Sequence, residues 1–376
     1  MKVCINLNPA LFQPTGVGVY ALELFIHLAQ LKKEDLELYG LSSSWKYRLR
    51  IPEVAHTRLI NSKIPSRIFN YCVHKIPLLP VEILTLKKLD VVHSTYGLAL
   101  PALKAKKVIT VHDLYFLTGN GESILSNIKV DRKAFQKSVF STDAIICVSQ
   151  YTRKRLLEIF PEAANKTEVI YSGFIQSPRI HADEEQELFE KKTMGLPDSY
   201  VVFVGTIEKR KNLLSLVEAI KILHSRGSKI NLILAGKAGY EGHKVMQAIA
   251  GYDFIHYYDY VEEKQKNILY KYARLMVMPS LEEGFGLPLL EAMSWGVPVI
   301  AARGSALEEI AAQAAYYMEE NSPEGISFAI NVVHENEDLR KNLIQKGYNR
   351  ITMFNWEETA SKVYDVYRKM VGQGNR

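Results

Sequence analysis

LMVMPSLEEGFGLPLLEAMSWGVPVIAA, Leu275–Ala302, is the stretch on which the reading turns. Leu275–Met278 is a continuous apolar run, the mark of a strand covered on both faces. The loop that follows carries Gly284 and Gly286, and Pro288 suits the first turn of a helix. PLLEAMSWG is that helix, and VPVIAA returns as a second apolar strand. Two covered strands joined through one helix form a parallel crossover unit. Ligands of such sheets gather at the C-terminal ends of the strands, and here that end runs into EEGFGLP. Glu283 lies in the loop and Glu291 is expected in the first helical turn, with seven residues between them. Both carboxylates then face one crevice as acceptors for hydroxyl groups, and the backbone amides of Phe285, Gly286 and Leu287 stand at the helix N-terminus. The competing reading makes Glu291 a complement to the helix dipole and Glu283 a solvated loop acid.

The same alternation extends to both sides. VCINLN, DVVHS, KVITVHD and AIICVS read as buried strands in the first half, and VVFVGT, NLILAG and FIHYYDYV in the second. Amphipathic segments such as YALELFIHLAQL, LLSLVEAIKILHSR and EKQKNILYKYA separate them. Strand–helix alternation over 376 residues predicts an α/β protein with two Rossmann-like, doubly wound parallel sheets. SPRIHADEEQELFEKKTMGLPDS is polar and charged, so the expected division is a first domain over 1–175, a linker over 176–198 and a second domain over 199–355. WEETASKVYDVYRKMV is a further amphipathic helix within 356–376.

Composition narrows the class. Cys4, Cys72 and Cys147 are scattered and no Cys-x-x-Cys pair occurs, which fits a reducing compartment and argues against a zinc site or disulfide frame. KVCINLN starts a strand at Lys2, and no apolar run approaches a membrane span, so a cytoplasmic protein is expected. Residues 1–176 carry 23 Lys and Arg against 14 Asp and Glu, a balance of +9, within a total of +6. A basic first half calls for an anionic partner or is a solvated basic face.

Three further motifs can carry chemistry. In PTGVGVYALEL, Gly16 and Gly18 precede a helix, so backbone N–H groups can face a phosphate or a sugar, or the pair is a plain glycine turn. With Ala21 it also fits the dinucleotide fingerprint, but eight residues separate Gly16 from the strand, where that fingerprint wants a tight turn. In ITVHDLYF a strand delivers His112 and Asp113 at its C-terminal end, as ligand contacts or as hydrogen-bonded structural residues. In VFVGTIEKRKNLLSLVEAI, Arg210 and Lys211 sit just before a helix with Asn212 as its expected N-cap. Two cations at a helix start, already partially positive, are electrostatically odd unless an anion binds there, and a diphosphate fits.

Taken together, these residues resemble family 4 of the retaining glycosyltransferases over nearly the whole length. The most specific element is the Glu-seven-residues-Glu signature at Glu283 and Glu291, followed by the helix and a Gly-Val-Pro-Val strand. Gly16, Gly18, His112, VGTIEKRKN and the FNWEETA stretch fall in the family's order. The resemblance implies the GT-B fold, two Rossmann-like domains facing a cleft, with residues 356–376 crossing back to the first domain. It implies a nucleotide-diphosphate sugar as donor, GDP- or UDP-linked, and no other cofactor. Arg210 and Lys211 match the cations on the diphosphate, Glu291 the carboxylate on the ribose, and Glu283 the one near the transferred sugar. Phe285, Gly286 and Leu287 match the amides there, His112 the residue beside the anomeric carbon, and Gly16 and Gly18 the loop over the donor. Tyr260 and Val261 match a segment at the nucleobase. There are departures: Thr206 stands where many members have arginine, Asp259 replaces a glycine, Tyr171-Ser172-Gly173 replaces an Asn-Gly, and Glu308 replaces a proline.

The chemistry that follows is transfer through an oxocarbenium-like state, with Arg210, Lys211 and the helix amides stabilising the leaving diphosphate. No Asp-x-Asp motif occurs, so no metal is expected. A sugar-nucleotide epimerase of the same fold and a non-catalytic nucleotide-sugar-binding protein are the alternatives. The acceptor is expected to be a saccharide or a lipid-linked molecule in cell-surface glycan synthesis, with no nucleic-acid partner. IPSRIFNYCVHKIPLLPVEILTLKK mixes apolar residues with Arg67, Lys75, Lys87 and Lys88, which fits either peripheral contact with an anionic membrane or an insertion packing its own core.

Overall fold

The computed structural model describes residues 1–11, 16–44, 57–65, 68–69, 79–118, 124–125, 128–129, 132–176 and 184–372. It divides into two compact units, Met1–Gly173 with Phe354–Arg376, and Phe174–Met353.

The first unit is built on a parallel sheet of β1 (Lys2–Asn6), β2 (Glu37–Ser42), β3 (Thr57–Asn61), β4 (Val91–Ser94) and β5 (Lys106–Val111). A two-residue antiparallel pair, β6 (Ile124–Leu125) and β7 (Ile128–Lys129), precedes the last strands, β8 (Ala144–Cys147) and β9 (Thr167–Val169). The sheet order is β3-β2-β1-β4-β5-β8-β9. Chain direction across the sheet reverses between β1 and β4, which opens a crevice beyond their C-terminal ends. The strands read as unbroken apolar runs because both faces are covered: Val3, Cys4 and Ile5 have no exposed surface. One face carries two clusters side by side, Phe135, Leu156 and Phe160 over one part of the sheet and Tyr39, Phe69 and Val81 over the other, while Tyr20 and Tyr367 pack on the opposite face against Thr110 and His93.

The helix Trp356–Gly372 belongs to this unit. Tyr364 donates to Asp35 at 2.6 Å, Thr359 to the Tyr171 carbonyl at 2.9 Å, and Tyr367 lies 2.6 Å from His93 Nδ1. Gly173 follows from the same packing, since a Cβ there would come within 2.3 Å of the Trp356 ring.

The second unit repeats the pattern with β10 (Tyr200–Val204), β11 (Asn231–Ala235), β12 (Ile255–Tyr258), β13 (Leu275–Met278), β14 (Val299–Ala301) and β15 (Ala315–Tyr317). The order β12-β11-β10-β13-β14-β15, all parallel, is that of the Rossmann fold, with its switch point between β10 and β13. The stretch read as a linker, 176–198, contains the helix Glu184–Thr193, and this helix is part of the second unit. Glu190 and Glu187 on it pair with Lys264 and Lys271, so its charges serve docking rather than solvation of a free segment.

Candidate functional site

β10 runs into Gly205, whose φ of +149° an L side chain rarely adopts. The ends of β10 and β11 approach closely: a Cβ on Gly236 would sit 2.0 Å from the Gly205 carbonyl oxygen. Ile207 is fully buried and bridges to Ala238, which braces the loop. A single 3-10 turn, Lys209–Lys211, then delivers the two cations. Asn212 stands before the helix Leu213–Ser225 with φ +54°. Its side chain does not cap that helix, contrary to the sequence expectation. It donates to Asn321 Oδ1 at 3.0 Å and accepts from Ser215 at 2.8 Å, while Asn321 donates to the Pro279 carbonyl at 2.8 Å. The loops after β10 and β13 are thereby tied through one asparagine pair.

Across the switch point, the loop after β13 presents Glu283, whose residue surface is 6% exposed. Lys211 Nζ donates to Oε1 at 2.5 Å, Ser280 Oγ to Oε1 at 2.9 Å, and Arg210 Nη1 to Oε2 at 3.0 Å. Burial alone would raise this carboxyl; Lys211, Arg210 and the hydrogen bonds outweigh it and hold the group down to about 2. Arg210 also donates to the Glu282 carbonyl at 2.8 Å and to Glu208 Oε1. The carboxylate placed by resemblance near a transferred sugar is thus bound to the two cations themselves.

The helix Leu287–Ser294 starts behind Gly286, at φ +103°, where a Cβ would meet Leu307 at 2.7 Å. The amides of Gly286 and Leu287 stand at its N-terminal end. Glu291 is the fifth helical residue and so lies in the second turn, not the first. Its carboxylate accepts from Lys266 at 2.7 Å and from the Tyr270 hydroxyl at 2.9 Å. Burial works against the Lys266 ammonium, but the charge of Glu291 overcomes it and raises the group above its ordinary value. The two glutamates therefore engage different partners. Thr206 is exposed, and Tyr260, 48% exposed, lies under Lys237 Nζ at 5.4 Å, with Val261 next to it after the end of β12.

In the first unit, His112 leaves β5 and hydrogen-bonds the Thr95 carbonyl through Nε2 at 2.9 Å. Nε2 must carry the proton for that bond. Burial lowers the imidazole below its ordinary value, so the ring is neutral and Nδ1 is an acceptor. Tyr20 packs edge-on at 4.8 Å, and a small open concavity lined by Tyr96, Gly97, Asp113, Phe116 and Phe135 lies beside it. Gly18 is demanded by packing, since a Cβ would sit 2.6 Å from the Pro9 carbonyl oxygen. Gly16 opens the helix Gly16–Gln30, while Phe12–Thr15 before it lie outside the described residues. Arg67, Lys75 and Cys72 also lie outside them.

Sequence reading did not name Glu208, Lys266, Tyr270, Ser280 or Asn321. Lys266 and Tyr270 carried one signal, a four-residue spacing on one helix face. Glu208 carried another, an acid two residues from Arg210.

The comparisons agree with this architecture. The family model for glycosyl transferases group 1 matches residues 184–350, and that for glycosyltransferase family 4 matches residues 14–175. O-antigen chain mannosyltransferase B of Escherichia coli is 27% identical, over 98% of this chain and 100% of that one. Sucrose-phosphate synthase from Thermosynechococcus elongatus has a similar structure, with a TM-score of 0.77, 18% identity and 99% of each chain covered. Anabaena Alr3699/HepE in complex with UDP-glucose has a TM-score of 0.66 at 15% identity, covering 98% of this chain and all of that one. These two structures show a shared fold. With both sheets in Rossmann order and the two family models side by side along it, the chain belongs to the family 4 glycosyltransferases and has the GT-B fold.

Proposed function

We propose that this chain is a retaining hexosyltransferase that uses a nucleoside-diphosphate sugar, GDP- or UDP-linked, and needs no metal ion. The acceptor is a saccharide or a lipid-linked molecule, and the reaction serves cell-surface glycan synthesis at the cytoplasmic face of a membrane. One observation carries the reading: Arg210 and Lys211 converge on buried Glu283 at the switch point of the second sheet, beside a helix N-terminus. The similarity to an O-antigen mannosyltransferase and to a fold that holds UDP-glucose supports the glycan and donor classes.

The bond between the anomeric carbon and the diphosphate oxygen breaks, and its electron pair goes to the diphosphate. Arg210, Lys211 and the amides of Phe285, Gly286 and Leu287 stabilise that charge more as it grows, which is where catalysis arises. The acceptor oxygen forms the new bond on the same face, and its proton passes to a leaving phosphate oxygen. Glu291 holds the ribose, Tyr260 and Val261 meet the nucleobase, Thr206 borders the phosphates, and Gly16 and Gly18, in the first turn of the helix Gly16–Gln30, contribute backbone amides for the donor. In the first unit, the neutral His112 offers Nδ1 to a sugar hydroxyl.

The test is a panel of GDP- and UDP-sugars with saccharide and lipid-linked acceptors, with and without chelator. Transfer that survives excess EDTA, with the product anomer matching the donor by NMR, is the expected result. Inversion, or loss of transfer that magnesium restores, overturns the corresponding claim. Interconversion of donors without transfer would identify an epimerase, and binding without turnover a scaffold.

A further inference from the structure

Arg210 is held between two carboxylates of unequal standing. Glu283 is anchored: its side chain is 8% exposed, and Lys211, Ser280 and Arg210 all donate to it. Glu208 is 25% exposed, and among the described residues its carboxylate has Arg210 alone as partner. The contact uses one oxygen. Arg210 Nε at 3.1 Å and Nη2 at 2.8 Å both donate to Glu208 Oε1. That guanidinium edge, two parallel N–H groups on one anionic oxygen, is the edge a phosphate oxygen takes. With Glu208 in place, the charges of Arg210 and Lys211 are matched by Glu208 and Glu283, and an incoming diphosphate meets a cluster with no net charge.

We propose that Glu208 is a resident competitor for the diphosphate, an internal anion that occupies the Arg210 edge in the empty site and leaves it when the donor binds. The inference rests on the donor-site reading above. It gives Glu208 two effects. Before binding, it keeps the adjacent cations from repelling each other. After transfer, it competes for Arg210 and loosens the hold on the nucleoside-diphosphate product. Glu283 cannot act this way, because it is buried beneath the cations and bound to both.

Calorimetry with GDP and UDP on Glu208→Gln, Arg210→Ala and the double variant tests the idea, with thermal unfolding of each. Glu208→Gln is expected to bind nucleoside diphosphate roughly two- to fivefold tighter, the size of a partly exposed ion pair. Product inhibition should strengthen by the same factor. Arg210→Ala should weaken binding, and adding Glu208→Gln to it should then change nothing, since the competitor acts through Arg210. Glu208→Ala must agree in sign with the glutamine variant. Weaker or unchanged binding in Glu208→Gln, with Arg210→Ala still weakening it, overturns the proposal and leaves the donor site standing. If neither nucleotide binds the wild type, or Arg210→Ala binds as the wild type does, the donor-site reading falls and this inference with it.

Discussion

Glu283 and Glu291 belong to one signature but are not equivalent residues in this fold. Glu283 compensates the buried Lys211 and the part-buried Arg210, and both its oxygens are engaged. Glu283→Gln keeps the shape and removes the charge, leaving Lys211 and Arg210 without their shared counterion. Breaking a buried pair by one partner destabilises by about 3–5 kcal/mol, so a lower Tm is expected together with weaker nucleotide binding and slower turnover. Glu291 is half-buried and its partners come from one neighbouring helix. Glu291→Ala should leave Tm nearer the wild type and raise the donor KM by roughly 10- to 100-fold, the loss of one hydrogen bond to a charged group. Steady-state kinetics and thermal unfolding on both variants decide it; a stable Glu283→Gln protein with normal nucleotide affinity would refute the counterion role. The pair of glutamates was legible from its spacing. The partners of Glu283 were not, because Arg210 and Lys211 reach it across 73 and 72 residues of sequence, a distance that only the parallel pairing of β10 with β13 closes.

At the scale of elements, the helix Glu263–Lys271 fixes the helix Leu287–Ser294 through Lys266 and Tyr270 on Glu291. Tyr270 is fully buried, so its hydroxyl sets which way the carboxylate points rather than touching a ligand itself. Tyr270→Phe is therefore expected to weaken binding of GDP or UDP by several-fold, less than loss of Glu291 itself, because Lys266 still holds the carboxylate. The loss should vanish with the 2′,3′-dideoxy nucleotide, which has no ribose hydroxyls for Glu291 to hold. An equal loss with both ligands, measured by calorimetry, would mean that the substitution acts on the fold in general. The elements themselves were largely readable from sequence where apolar runs are long and covered on both faces, as in β1, β10 and β13. β9 and β15 escaped because each has only three residues at a sheet edge, and β3 because Thr57, Arg58 and Asn61 break its apolar run. The helix Glu184–Thr193 escaped for a different reason: its acids and lysines read as linker until the cations of a second helix stand opposite them.

For the whole molecule, two properties follow from where charge is buried and where it is shown. Burial, helped by nearby His112, pulls His93 from an ordinary 6.5 to about 3, while the unfolded chain protonates it near its ordinary value. Between those limits the unfolded state binds the extra proton, so stability falls as pH falls, by up to about 1.4 kcal/mol per pH unit for one such group. Glu283, held at about 2, adds to the loss below its ordinary 4.5. Thermal unfolding between pH 8 and 4 should show Tm declining from about pH 6.5 downward, and a flat profile would contradict it. The second property concerns the basic first half. Glu82 accepts from the amides of Leu103, Lys104 and Ala105 at 2.9–3.1 Å and so joins the helix Val81–Thr85 to the segment before β5. Around that junction Leu86 is 86% exposed, Leu103 65% and Ile83 51%, with Lys88 and Lys104 exposed beside them. Leu86 also holds φ +53° after the helix end, a left-handed conformation that disfavours a leucine by roughly 1–2 kcal/mol. The left-handed turn lets the Leu86 and Lys87 amides close the helix end on the Ile83 and Glu82 carbonyls, and it leaves the leucine side chain projecting among lysines, where it suits insertion between anionic headgroups. Among the described residues no helix is long and apolar enough to cross a membrane, so contact would be at the surface. The protein is expected to sediment with phosphatidylglycerol vesicles at low salt, to come off at high salt, and to ignore phosphatidylcholine. Replacing Lys88 and Lys104 with alanine should weaken binding roughly ten- to thirtyfold, at about 1 kcal/mol for each lysine near the surface. Leu86→Ser with Leu103→Ser should weaken it further without altering nucleotide binding, which separates loss of the surface from loss of the fold. A wild-type protein that stays in the supernatant at low salt ends the membrane reading.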